Sequence, residues 1–298
     1  MLDYAALAAL AAVIREGSFE RAASALHVTP SAVSQRIRSL EERVGCALVV
    51  REQPCRATET GRRLCQHVDR VRLLEQELQG TLPALAPEGV TRVALPIAVN
   101  ADSLATWFAP AIAAFAADAP VLVELAVDDQ DHTTEWLRSG AVLAAVTGTG
   151  RPAAGCNSRA LGAMRYVAAA SPAFVARHFA DGIGAGSLVR APSLIFNAKD
   201  DLQARWARRL CHRDVTLPRH TVPSPHAFVA AATAGMGWGM QPLSLIAQHL
   251  QDGSLVEMLP NSPLDVPLYW QHARAASALL DGLTREILAA AARALLPP

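Results

Sequence analysis

Along the first forty-five residues, apolar positions fall at helical spacing in three short blocks. Leu7, Leu10, Ala11 and Ile14 share one face, and Gly17 ends the block. Ser18 is a candidate cap for the next, in which Phe19, Ala22, Ala23 and Leu26 repeat the spacing. Thr29-Pro30 pairs a good N-cap with a good first helical residue. The stripe Val33, Ile37, Leu40 and Val44 follows, closed by Gly45. Three short helices with a tight connection before the third predict a helix-turn-helix.

The polar face of the third block adds chemistry to this pattern. Ser31, Ser34, Gln35 and Arg38 lie opposite the apolar stripe and offer hydroxyl, amide and guanidinium groups. Such groups reach base edges and phosphates in a major groove. Thr29 and Pro30, at the start of the helix, belong to the same candidate DNA-binding set. Two short extended pieces around Pro54 read as a hairpin wing, with Arg51 placed for a phosphate and Arg56 for a minor groove. Residues 1–63 carry nine Arg against seven Asp and Glu, too weak a bias to argue for DNA on its own.

Next, Leu64, Val68, Val71, Leu74 and Leu78 form the stripe of a long amphipathic helix ending near Gly80. Leu64, Val71 and Leu78 recur every seven residues, as the seam between two copies of one helix requires. Docking of this helix on its own domain is the alternative. A linker containing Pro83 and Pro87 follows.

From residue 90 the period changes. Strands are predicted at Val93–Val99, Val121–Val127, Val142–Val146, Tyr166–Ala170, Leu194–Asn197, Val215–Val222, Gly237–Gln241 and Leu268–Gln271. They alternate with helices at Asp102–Ala117, Thr133–Ser139, Pro172–His178, Leu202–Cys211, Ala227–Ala234, Leu243–Gln251 and Ala276–Leu296. The alternation predicts an α/β fold with a parallel sheet, arranged as two lobes about a ligand cleft. Ligands in open α/β sheets sit at the carboxyl ends of strands. That rule selects Asn100, Asp102, Ser103, Asp128, Asp129, Thr147, Asn197 and Ser224 as candidate effector-binding residues. An anion site at Ser103 beside the Asp128-Asp129 pair would suit a zwitterion. Each of these residues taken singly also suits ordinary capping.

The 298-residue chain is 51% hydrophobic and carries zero formal net charge, which excludes global disorder and leaves any charged partner to local readings. Five scattered cysteines without a CxxC pair argue for a reducing compartment and against structural zinc. The apolar start lacks a basic leader and is too short to span a bilayer, so the expected location is the cytoplasm, with no membrane partner. GxSxG, GxxxxGK[ST] and HExxH motifs are absent, and the expectation is a non-enzyme with no catalytic residue, cofactor or metal.

Gly17-Ser18-Phe19-Glu20-Arg21-Ala22-Ala23, Ser31-Ala32-Val33-Ser34-Gln35-Arg36-Ile37 and Leu40-Glu41-Glu42 resemble the LysR-type transcriptional regulators over essentially the whole chain. Asn100-Ala101-Asp102-Ser103-Leu104-Ala105-Thr106-Trp107 and Leu268-Tyr269-Trp270 resemble its ArgP/LysG branch, the lysine and arginine export regulators. The resemblance implies a winged helix-turn-helix over residues 1–58 and a dimerisation helix and linker over 59–89. It implies a periplasmic-binding-protein-like effector domain over 90–298, with lobe one at about 90–164 and 268–298 and lobe two at about 165–267. It further implies a homodimer or homotetramer that binds an operator, works with RNA polymerase, and controls an amino-acid exporter gene according to lysine or arginine. A LysR-type regulator of another effector, or an amino-acid-binding transport protein sharing the two-lobed fold, are the alternatives.

Overall fold

The computed structural model describes residues 2–81, 93–118, 121–127 and 133–297. They form two compact units, one made chiefly of the chain up to Thr91 and the other of most of the chain from Arg92 onward.

In the N-terminal unit, α1 (Tyr4–Glu16), α2 (Phe19–Ala25) and α3 (Pro30–Val44) follow the predicted stripes. Asp3, Ser18 and Thr29 accept backbone N–H bonds at the three helix starts. Gly17 ends α1 at φ 65°, a left-handed turn that glycine adopts without strain, and a Cβ there would also strike Pro54. Leu7, Leu10, Val33, Ile37 and Leu40 are buried together, each contributing about 1.5–3 kcal/mol by leaving water. Val44, read as the end of the α3 stripe, is exposed instead, because α3 has by then run past its neighbours. The wing is a minimal hairpin, β1 (Val49–Val50) against β2 (Arg56–Ala57). Glu41 ties α3 to it, accepting from the backbone N–H groups of Leu48 at 2.8 Å and Val49 at 3.4 Å. The long helix α4 (Glu59–Thr81) follows.

The second unit is built on a seven-stranded sheet. Its first part contains β3 (Val93–Val99), α5 (Ala101–Ser103), a π-helical turn (Leu104–Phe108), α6 (Ala109–Asp118), β4 (Val121–Val127), α7 (Thr133–Ser139) and β5 (Ala144–Thr147). The long strand β6 (Cys156–Ala170) carries the chain into the second lobe. There follow α8 (Pro172–His178), α9 (Ala185–Leu188), β7 (Ser193–Ile195), α10 (Leu202–Cys211), β8 (Arg219–Thr221) and α11 (Pro225–Thr233). Then come β9 (Gly239–Pro242), α12 (Leu243–Gln251) and β10 (Val256–Glu257). The return strand β11 (Leu264–Ala273) and α13 (Ser277–Ala294) complete the chain.

The all-parallel expectation is corrected. Only β3 pairs in parallel within this sheet, with β4 and β5. The long β6 and β11 run antiparallel, from Leu264 opposite Tyr166 to Ala273 opposite Cys156. Two such strands form the double crossing between lobes, which alternating short βαβ units cannot provide. Their register shifts between Leu268 and Tyr269, opposite Gly162 at φ 123°. Glycine fits that bulge because a Cβ would meet the carbonyl of Leu296. In lobe two, Trp206 packs tilted against Trp238, ring centroids 5.2 Å apart, and donates its indole N–H to Ser262 O at 3.0 Å. The second lobe's core gathers Val167 and Ala169 of β6, Leu194 of β7, Phe228 and Val229 of α11 and Ile246 of α12.

Candidate functional site

Ser31, Gln35 and Arg38 are exposed on α3 and Ser34 is half-buried, so the hydrophilic face remains open. Two members of the set have structural duties as well. Thr29 accepts from Ala32 N at 3.2 Å, and Arg38 Nε lies 3.3 Å from Glu42 Oε1. Pro30 begins the helix. In the wing, Arg56 is exposed on β2, while the Arg51 guanidinium stacks over the Phe19 ring at 5.1 Å. That contact aims Arg51 along the α2 surface.

The predicted α4 seam divides in two. Val68 is 5% exposed and Leu64 partly buried, both packed in the core of their own domain with α1 to α3. These two are therefore corrected from partner contacts to anchors of α4 on its domain. Val71 is half-buried and Leu74 is 52% exposed. The Leu78 side chain lies outside the described residues.

In the second unit a cleft of about 550 Å³, mouth included, opens between the lobes. Lobe one supplies Asn100, Ala101 and Asp102, from the end of β3 and the start of α5. Lobe two supplies Asp200 from the loop after β7, Phe228 from α11, and Gln241 from β9. Further apolar walls come from Phe196, Met240 and Leu245. Every polar contributor stands at or near the carboxyl end of a strand. Asn100 occupies the N-cap position of α5, yet makes no cap bond with its side chain. Asn100 is 2% exposed and its Oδ1 has no hydrogen-bond partner; Gln241 is 1% exposed and neither amide atom has one. Buried polar groups are nearly always paired, so these two are prepared for a ligand or water. The π-helical turn beginning at Leu104 widens the helix just behind this wall, a device frequent at functional sites.

Two carboxylates face the cleft, one from each lobe. Asp102 accepts from the Tyr166 hydroxyl at 2.7 Å. Asp200 accepts from the backbone N–H groups of Phe196 at 2.8 Å and Leu202 at 3.1 Å. Burial pushes the Asp200 carboxyl above its usual range; those two N–H bonds and the Gln203 amide draw it back, and neighbouring Asp201 raises it further.

Several candidates read from the sequence are placed elsewhere. Ser103 is fully buried and does not line the cleft, and its hydroxyl has no partner. Thr147 is buried behind the cleft, donating to Thr149 O at 3.0 Å and accepting from Gln271 Nε2 at 3.1 Å. Asn197 closes its own turn, accepting from Lys199 N at 2.8 Å. Ser224 caps α11 through Ala227 N, and its neighbour Pro225 lines the cleft instead. Asp128 and Asp129 lie outside the described residues. Asp200 and Gln241 line the cleft and are not among the candidates read from the sequence. Gln241 ends the predicted strand Gly237–Gln241, whereas Asp200 sits in a charge run beyond the predicted strand end at Asn197. No cluster of His, Cys, Asp and Glu among the described residues is suited to a metal ion.

A winged helix-turn-helix joined through a long helix to a two-lobed domain with a polar cleft defines a ligand-responsive DNA-binding regulator. Residues 4–62 match the bacterial regulatory helix-turn-helix protein model of the lysR family, and residues 88–292 match the LysR substrate binding domain. The chain belongs to the LysR family. It is 46% identical over 297 residues to the HTH-type transcriptional regulator ArgP of Pseudomonas fluorescens (strain Pf0-1), covering 100% of this chain and 99% of the relative. Among solved structures, ArgP from Mycobacterium tuberculosis matches with a TM-score of 0.85 at 45% identity, covering 100% of both chains. The full-length LysG from Corynebacterium glutamicum with bound effector Arg matches with a TM-score of 0.72 at 37% identity, covering 99% of this chain and 100% of that one.

Proposed function

We propose that this protein is a transcriptional regulator that reads operator DNA through α3 and the wing and answers to arginine or lysine held in the cleft. The observation that carries the reading is the pair of cleft carboxylates, Asp102 and Asp200, beside the unpartnered amides of Asn100 and Gln241. A basic amino acid brings two cationic groups and one carboxylate. Its two cations complement two carboxylates, which a neutral or acidic amino acid does not, and a desolvated cation requires such pairing. The amides then orient the remaining polar atoms. The arginine held by the Corynebacterium relative supports the same ligand class.

The division of labour follows. Residues 1–58 bind DNA, residues 59–89 form the dimerisation helix and linker, and residues 90–298 sense the effector. Ser31, Ser34, Gln35 and Arg38 meet bases and phosphates, with Arg56 in the minor groove. Two copies joined along the outer face of α4, with Val71 and Leu74 at its exposed end, present two recognition helices to one operator. The regulator acts in the cytoplasm on an amino-acid exporter gene with RNA polymerase, and performs no catalysis. No helix among the described residues is long and apolar enough to cross a membrane. Calorimetry of the full-length protein against a panel of amino acids tests it. Arginine and lysine should bind saturably, and glutamate and leucine should not.

A further inference from the structure

Lobe two contains a second pocket, of about 540 Å³ with its mouth, on the side of α10 that faces β7 and β8. Ser193 and Ile195 of β7 and Gln203 and Ala204 of α10 line it, with Leu217 and Arg219 from the β8 side. Asp200 borders this pocket as well as the interlobe cleft, so one carboxylate separates the two cavities.

The decisive residue is Gln203. It is 1% exposed and lines the pocket, and neither its Oε1 nor its Nε2 makes a hydrogen bond of normal geometry, though the amide lies near enough to Asp200 to favour the ionised carboxyl. With one side of the amide towards Asp200, its remaining donor and acceptor are unmatched, which is costly in a buried position unless something else satisfies them. Ser193 does not, because its hydroxyl donates to Pro218 O at 3.0 Å. At the mouth, the exposed Arg219 guanidinium has no carboxylate partner among the described residues. The remaining wall is aliphatic apart from Thr216 and the Asp200 carboxylate.

We propose that this pocket is a second ligand site, distinct from the cleft, for a small carboxylate that also carries a carboxamide. The ligand's amide would present one donor and one acceptor to the complementary pair on Gln203. Its carboxylate would meet Arg219 at the mouth, where a guanidinium recognises it bidentately. A ligand there touches the segment that also presents Asp200 to the cleft, which gives a route by which occupancy of this pocket informs the cleft. The site does not depend on which amino acid fills the cleft.

L-glutamine is the probe. Full-length protein, with the cleft first saturated by arginine, is titrated calorimetrically with L-glutamine, and again as the Gln203→Met and Arg219→Gln variants. Gln203→Met keeps the length and volume of the side chain, and Arg219 is exposed, so both variants should melt as the parent does without ligand. The expected result is saturable glutamine binding, one per chain, weakened at least tenfold in each variant, with L-glutamate and L-norleucine binding far more weakly. Absence of saturable binding at millimolar glutamine overturns the proposal. So does binding indifferent to Gln203→Met, or binding that arginine abolishes, which would place glutamine in the cleft. If arginine itself fails to bind, the same titrations without it still decide the question through the two variants.

Discussion

The Tyr166 hydroxyl donates to Asp102 Oδ2 at 2.7 Å, so the strand that crosses between the lobes holds a carboxylate at the wall of the cleft. This bond is charge-assisted and fixes where Asp102 presents its charge. Tyr166→Phe removes only the hydroxyl from a buried ring. Arginine affinity should fall by about 1.5–3 kcal/mol, roughly 10–150-fold, with circular dichroism unchanged. Undiminished arginine binding in this variant would show that Asp102 does not meet the ligand.

The pH dependence of binding follows from Asp200. Its carboxyl is raised above the usual 3.8, by burial first. Its ionised form is the one that pairs with a cation. Arginine affinity should therefore decline on acidification, in a pH window lying above that of an ordinary carboxylate. Without ligand the sign for stability is opposite. A folded pKa above the unfolded one contributes stability at low pH that is lost as pH rises through the folded value. Calorimetry across the window checks the first effect, and a flat affinity profile would count against Asp200 as the cation's partner.

Thr147 serves structure through Gln271, a fully buried side chain. Gln271 accepts from Ala153 N at 2.9 Å and donates towards Thr147 Oγ1, Thr149 O and Arg151 O at 2.8–3.1 Å. Gln271→Leu strands several buried polar groups at once and should cost about 2–4 kcal/mol. Thermal unfolding reads this directly. Thr147→Val should mainly lower stability, leaving arginine affinity per folded molecule within about threefold.

On DNA, Gln35→Ala should cost about 1–3 kcal/mol on the cognate operator and little on random sequence. Arg56→Ala should weaken binding and flatten its salt dependence. Gel-shift titrations on both DNAs at several salt concentrations separate the two. Equal losses on both DNAs for Gln35→Ala would assign it to the backbone.

The split of the α4 stripe separates assembly from folding. Val68→Asp buries an unpaired charge in the N-terminal core and should unfold that unit. Leu74→Asp alters an exposed position and should leave the fold intact while weakening the dimer in sedimentation at micromolar concentration. Unchanged sedimentation for Leu74→Asp would move the dimer contact elsewhere.

Strong local periodicity carried much of the architecture. Val93–Val99, Val121–Val127, Thr133–Ser139, Pro172–His178, Leu202–Cys211 and Leu243–Gln251 form as predicted to the residue. The failures have physical causes. The first half of β6 alternates poorly, with Asn157, Ser158, Arg159 and Gly162, and it becomes a strand because β11 pairs with it. The start of β11 contains Asp265 and Pro267, which argue against a strand on local grounds. At the cleft, Asn100 and Asp102 were marked by a strand end, whereas Lys199-Asp200-Asp201 reads as a solvated charge run. Only tertiary packing buries Asp200 and turns Gln241 towards the cleft. The heptad from Leu64 to Leu78 could not reveal that its first turns are already occupied by α1 to α3.

The central claim is that two cleft carboxylates select a doubly cationic ligand, and calorimetry of arginine against the parent and Asp200→Asn measures it most directly. The account predicts saturable arginine binding by the full-length parent and a loss of roughly 10–150-fold in Asp200→Asn, with the fold retained. No binding of arginine or lysine by the parent at millimolar concentration, or equal binding by parent and variant, would contradict it.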